Sequence, residues 1–123
     1  EIRRADRKFV ATNSGLTYKV VELGDLKTTV RTNRDTMLMR YRLVDMSGAV
    51  LDTTYLRADT LRIAAGELPK GVLEAAKLIG KGGHIEAWVP SQLGYGADGC
   101  DSLGVRPNTI LYYEMWLVDV EKR

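Results

Sequence analysis

The sequence predicts an α+β domain: a twisted antiparallel sheet of about five strands wrapped around one short helix. Three observations carry this prediction. Apolar residues recur at every second position through most of the chain, the period of half-buried strands. One internal stretch, Pro69 to Ile79, has helical spacing instead. The last stretch, Thr109 to Glu121, is apolar on both parities, as a central or covered strand must be.

Taken in order, Glu1 to Ala11 is dense in charge and places Ile2, Ala5 and Phe9 at spacings of three and four. That narrow apolar stripe reads as the end of a helix or as a solvated terminus. Thr12 to Gly15 breaks it, and Leu16 to Leu23 alternates as a strand ended by Gly24-Asp25. Asp35 to Asp45 is the next strand, with Met37, Met39, Tyr41 and Leu43 on one face and Leu38, Arg40 and Arg42 on the other. Met46-Ser47-Gly48 turns the chain into a short returning strand, Ala49 to Asp52. Beyond the polar stretch Thr53 to Asp59, Leu61, Ile63 and Ala65 are again spaced by two until Gly66.

Pro69 suits the first turn of the helix, Val72, Ala76 and Ile79 share one face, and Gly80 is placed as its cap. Lys81-Gly82-Gly83 then turns into a strand with Ile85, Ala87 and Val89 inward and His84, Glu86 and Trp88 outward. Tyr95, between Gly94 and Gly96, opens a long loop that Pro107 closes. In the final strand Leu111, Tyr113, Met115 and Leu117 face one way, and Ile110, Tyr112, Glu114, Trp116 and Val118 the other.

A chain of 123 residues is most simply one domain, able to bury roughly two-thirds of its unfolded surface. With 45% apolar and 28% charged residues it has an ordinary globular balance. The net charge of +2 is too small, and the Lys and Arg too scattered, for a nucleic-acid surface. Cys100 alone makes no internal disulfide, and one histidine with one cysteine makes no conventional His/Cys zinc site, so neither metal nor cofactor is expected. No apolar run is long enough to span a bilayer, and no signal peptide is recognisable. The first residue is Glu1 rather than Met, which reads as a mature or trimmed form from which an export signal would be missing.

Nucleophilic catalysis finds little support. His84 starts a strand with no Ser or Cys partner that spacing can place beside it, and it reads as exposed and inert. Cys100, in a glycine-rich loop between Asp98 and Asp101, reads as an exposed bystander. Nothing in the spacing of Asp52, Glu74 and Asp98 demands a paired-carboxylate cleft. Gly80 to Gly83 lacks the strand-to-helix setting of a phosphate loop. A pocket of apolar and aromatic side chains remains, suited to a peptide or small molecule. One reaction needs no more than that: rotation about an X-Pro bond faces a barrier of roughly 18–20 kcal/mol, which a dry pocket favouring the twisted amide would lower.

At this point the sequence resembles the FKBP-type peptidyl-prolyl cis-trans isomerases, from Ser14 to Lys122. NSGLTYKVVELGD looks like the opening strand of bacterial, Mip-like members, and RYRLVDMSGAVLDTTY is similar to the tyrosine strand and hairpin. GELPKGVLEAAKLIGKGGHIEAWVPSQLGYG resembles the helix, double glycine and tyrosine loop, and RPNTILYYEMWLVDV the closing strand. The resemblance implies an N-terminal helical or extended segment over 1–13 and an FKBP-like domain over 14–123. It puts Tyr41 on the pocket tyrosine, Asp52 on the acidic residue of the hairpin, and Tyr95 on the tyrosine that hydrogen-bonds a substrate carbonyl. Val105 takes the aliphatic loop position and Tyr113 an aromatic one in the wall.

Other positions depart from the family pattern. Leu51 stands for the aromatic before the aspartate, Leu61 for the next pocket aromatic, and Val72 for the tryptophan of the floor. The usual Val/Ile-Pro-Gly lead-in to the helix is Leu68-Pro69-Lys70-Gly71. The resemblance implies proline-containing peptide or protein clients and a bacterial periplasm or envelope location. The alternative is a non-catalytic peptide-binding or assembly module, acting as a homodimer or with a partner through the N-terminal helix or the outer face of Trp88, Tyr112 and Trp116. Phe9 or Ile2 folding back over that face would remove its motivation.

Overall fold

The structure is a computed structural model that describes residues 9–53, 60–100 and 104–121. The expected α+β arrangement is present. Strands β1 (Val10–Ala11), β2 (Thr17–Glu22), β4 (Thr36–Val44), β5 (Val50–Thr53), β6 (Leu61–Ala64), β8 (His84–Val89) and β9 (Leu111–Glu121) form one seven-stranded sheet. Its order is β1-β2-β8-β9-β4-β5, with β6 also pairing β4. Strands β3 (Asp25–Thr29) and β7 (Gly80–Lys81) make a separate two-stranded sheet. The helix α1 is Lys70–Ala76.

Period-two alternation places the core. Met37, Met39 and Leu43 of β4, Ile85, Ala87 and Val89 of β8, and Leu111, Met115 and Leu117 of β9 are all buried on one face. Val72, Ala75 and Ala76 of α1 and Ile79 beyond it are buried against them. Gly71 lets the helix approach so closely, since a Cβ there would lie 2.7 Å from Val89 Cγ1 and 3.0 Å from Leu93 Cβ. At the far end of β9 the parity flips. Leu38 pairs Asp119 while Met39 pairs Leu117, so Val118 is the extra residue of a bulge. Val118 is therefore exposed, and Val120, of the outward parity, is buried.

Several expectations are corrected. Residues 1–8 lie outside the described residues, but Val10 and Ala11 are strand, paired with Tyr18 and Thr17, rather than the end of a helix. The sheet thus reaches upstream of residue 14. Strand β3 carries no alternation and Leu26 is exposed, which is why the sequence hides it. Gly80 does not cap α1. The helix ends by tightening, with Leu78 N–H on Ala75 O at 3.1 Å and Ile79 N–H on Ala76 O at 3.4 Å. Gly80 then enters β7 so close to β3 that a Cβ would sit 1.9 Å from the Asp25 carbonyl oxygen. The left-handed glycine of this stretch is Gly82, at φ +83.

Candidate functional site

A cavity of about 120 Å³ opens where the core face of the sheet, the lead-in to α1 and the tyrosine loop meet. Alternation on β4 turns Met39, Tyr41 and Leu43 toward it, and β6 adds Leu61 and Ile63. The segment before the helix supplies Glu67, Leu68 and Pro69, and the first turn of α1 puts Val72 at the floor. Tyr113 of β9 and Tyr95 of the loop complete the wall. Because Leu43 and Tyr113 are direct partners across β4 and β9, the Tyr41 and Tyr113 rings come within 6.3 Å, tilted by 41°.

The loop that carries Tyr95 is pinned by its own backbone. Gly96 N–H donates to Ser91 O at 2.7 Å, Gly99 N–H to Tyr95 O at 3.0 Å, and Asn108 N–H to Gly96 O at 2.8 Å. Cys100 and Val105 form a two-way backbone bridge across the loop's far end, at 2.8 and 2.9 Å. Cys100 is half-buried there, packed against the core, not the exposed bystander expected.

Of the residues singled out from sequence, the cavity brings together Tyr41, Leu61, Leu68, Pro69, Val72, Tyr95 and Tyr113. Leu51 and Val105 pack on the core but do not line it. Asp52 sits opposite Leu43 in the β4–β5 register, and its side chain lies outside the described residues. Met39, Leu43, Ile63 and Glu67 were missed. The first two share Tyr41's face and Ile63 shares that of Leu61, so alternation alone could have found them; nothing in the sequence marks Glu67. It is the one charged lining residue among those described.

The sheet's opposite face carries the outer aromatics, and they are half-buried rather than open. Trp88 and Tyr112 meet at 4.9 Å, tilted by 53°. Trp116 stacks on His84 at 4.2 Å with 16° between the planes. His84 is thus not an exposed, inert residue: its side chain is 18% accessible, and Nε2 lies 3.0 Å from Glu114 Oε2. The Tyr112 hydroxyl donates to Glu86 Oε1 at 2.7 Å. Burial, then the Glu86 carboxylate, hold that hydroxyl well above the ordinary tyrosine range. Phe9 does not cover this face; it is exposed, with Lys19 Nζ 5.3 Å from its ring centre.

Compared with known proteins, residues 27–118 match the family model of the FKBP-type peptidyl-prolyl cis-trans isomerases. The chain is 35% identical over 118 residues to the FKBP-type peptidyl-prolyl cis-trans isomerase FkpA of Escherichia coli strain K12, covering 95% of this chain and 42% of that protein. It is 30% identical over 110 residues to the peptidyl-prolyl cis-trans isomerase Mip of Coxiella burnetii, covering 89% of this chain and 46% of that one. The crystal structure of FkpA from Escherichia coli superposes with a TM-score of 0.85 at 31% identity, over 92% of this chain and 51% of that chain. The chain therefore spans about half the length, or less, of these relatives. With a match across most of its length and the same arrangement of sheet, helix and loop, the chain belongs to the FKBP-type peptidyl-prolyl cis-trans isomerase family.

Proposed function

We propose that this chain catalyses cis-trans isomerisation of X-Pro bonds in peptide or protein clients, and acts as a folding catalyst or chaperone. The observation that carries the reading is the cavity of about 120 Å³ walled by Tyr41, Leu61, Val72 and Tyr113, with the Tyr95 loop at its rim. An engineered apolar cavity of about 150 Å³ in another protein accepts benzene, so a prolyl ring, one ring atom smaller, is of the right size. Burying the ring holds the substrate while its amide twists. Rotation removes the resonance that separates charge across the planar amide, so an apolar wall favours the twisted form over the planar one. The Tyr95 hydroxyl donates a hydrogen bond to the substrate carbonyl, Tyr41 stands in the wall beside the ring, and Asp52 takes the acidic position that the family resemblance gives the hairpin. Leu68 and Pro69 form the lip, while Leu51 and Val105 back the wall from behind. No metal or nucleophile enters this scheme.

Val72 and Leu61 make the cavity aliphatic where the family pattern is aromatic, which lowers contact with the ring while keeping these parts of the lining apolar. An assembly module remains the second reading, but Trp88 and Trp116 are already taken up by Tyr112 and His84, and the names of the relatives favour the isomerase. Resemblance to Mip-like proteins supports a place in the bacterial envelope. The test is a protease-free assay of cis-to-trans conversion in an X-Pro peptide. Tyr95→Phe should lower kcat/KM by about fivefold, the worth of one hydrogen bond of about 1 kcal/mol, and Asp52→Ala should lower it too. No acceleration by the parent chain at high concentration would overturn the proposal.

A further inference from the structure

The cluster on the outer sheet face is built like a metal site. His84 and Glu86 are two apart on β8 and so share its outward face, and Glu114 is Glu86's direct partner on β9. One ligand atom from each of the three lies within 4.8 Å of the other two. Each group also has a second partner that fixes its direction. Tyr112 OH donates to Glu86 Oε1 at 2.7 Å, and Arg42 Nη2 lies 3.2 Å from Glu114 Oε1. Trp116 stacks on the His84 ring at 4.2 Å. Both carboxylates thus spend Oε1 on an outer partner and leave Oε2 for other contacts, Glu114 Oε2 being 3.0 Å from His84 Nε2. Outer partners of this kind orient the ligands of protein-bound metals.

We propose that His84, Glu86 and Glu114 bind a divalent first-row transition ion, with one imidazole nitrogen and two carboxylate oxygens as ligands. Tetrahedral ligands at about 2.0–2.2 Å from zinc lie roughly 3.4 Å apart, so rotation of the terminal bonds need only part His84 Nε2 from Glu114 Oε2 slightly, from 3.0 Å, and bring the Glu86 carboxylate to them. Lys19 Nζ, 3.7 Å from Glu86 Oε2, is the cation that must swing aside, and its loose contact lets it do so. Counting histidines and cysteines gave no metal because the carboxylates were left out of the ligand set. The site lies across the sheet from the proline cavity, so it stands or falls independently of the isomerase reading.

The experiment is a titration of the purified chain with zinc chloride, read by calorimetry, by the NMR signals of the His84 ring and the Trp116 indole, and by the thermal midpoint. Expected are one-to-one binding, shifts centred on those two rings, and a raised midpoint that a chelator reverses. Tyr112→Phe should weaken binding about tenfold, His84→Ala and Glu86→Gln by more, while Lys19→Met tightens it. His84→Ala without zinc should keep the parent's circular dichroism and cooperative thermal unfolding, showing that it folds. Zinc binding undiminished in His84→Ala, binding abolished by Cys100→Ser, or no midpoint shift at millimolar zinc would each overturn the proposal.

Discussion

Gly80 separates two accounts of the same glycine. If it were a helix cap, its replacement would cost what left-handed backbone costs a side chain, about 1–2 kcal/mol, and Asn would be tolerated better than Ala. The structure gives another reason. A Cβ at Gly80 would lie 1.9 Å from Asp25 O, 2.5 Å from Asp25 C and 3.0 Å from Leu26 N, all backbone atoms that cannot rotate away. To admit it, β3 and β7 must part by more than an ångström, roughly the difference between that contact and ordinary packing. Parting forfeits the Gly80 N–H to Leu23 O bond of 2.8 Å in a buried setting. Adding an unsatisfied buried donor, about 1–3 kcal/mol, to overpacking of about 1–3 kcal/mol gives about 4 kcal/mol for Gly80→Ala. That is a large share of a domain stability of about 5–15 kcal/mol. Gly82→Ala, at φ +83 with nothing within 4 Å of the added methyl, is the control; it should cost about 1–2 kcal/mol. Urea unfolding followed by tryptophan fluorescence measures all three variants. Gly80→Ala within 1 kcal/mol of the parent, or Gly80→Asn more stable than Gly80→Ala, would refute the close-approach argument.

Other outcomes are equally specific. Val72→Ala should lower both stability and kcat/KM: two lost methyl groups in a buried floor cost about 2–3 kcal/mol on unfolding, and one methylene of lost ring contact, about 0.8 kcal/mol, is about fourfold in kcat/KM in the X-Pro assay. Asp35 is 2% exposed and its Oδ2 accepts from Arg31 N–H at 2.9 Å and Thr32 N–H at 3.2 Å. Asp35→Ala should therefore destabilise by about 1–3 kcal/mol in urea titration, with Asp35→Asn, which keeps an acceptor, in between. Asp45 Oδ1 accepts from Ser47 Oγ at 2.6 Å, Ser47 N–H at 2.9 Å and Ala49 N–H at 3.0 Å, and the Ser47 hydroxyl leads in holding its carboxyl below the ordinary value of 3.8. A depressed folded value means stability present above 3.8 and lost as pH falls through the folded value, so thermal midpoints of Asp45→Ala and parent should differ at neutral pH and converge in acid.

Strands with one wet and one dry face were legible because the pleat writes burial into every second residue. That is why β4, β8 and β9 could be read with their faces assigned, and why Met39, Tyr41, Leu43 and Tyr113 fell together at the cavity. What escaped was anything decided by a distant neighbour. Strand β3, DLKTT, has no buried face of its own and exists because β7 passes beside it. Gly80 reads as helix punctuation until the carbonyl of Asp25 is in view. The bulge at Val118 reverses the parity of β9 through its pairing with β4, so alternation carried past Val118 would put Val120 on the outer face, where the structure buries it. His84 looked inert because its partners, Glu114 and Trp116, lie some thirty residues downstream.

The six residues of β8, HIEAWV, show how far one short strand can serve two surfaces. Ile85, Ala87 and Val89 are buried, and Val89 is what Gly71 of α1 packs on, so the inward set fixes how deep the helix sits and hence where Val72 lies in the cavity floor. His84, Glu86 and Trp88, interleaved with them, build the polar and aromatic cluster with Tyr112, Glu114 and Trp116 of β9. Since each set points away from the other, side chains on one face can change without touching those on the other, provided the β8–β9 register holds. That register is set from both sides at once: Ala87 faces Tyr113 in the dry layer, and Trp88 faces Tyr112 in the outer one, their rings 4.9 Å apart. A one-residue slip would send every member of both sets to the wrong side. The β8–β9 register thus sets the cavity from the inner face alone, placing Tyr113 in its wall and, through Val89 against Gly71, the helix that carries Val72 to its floor.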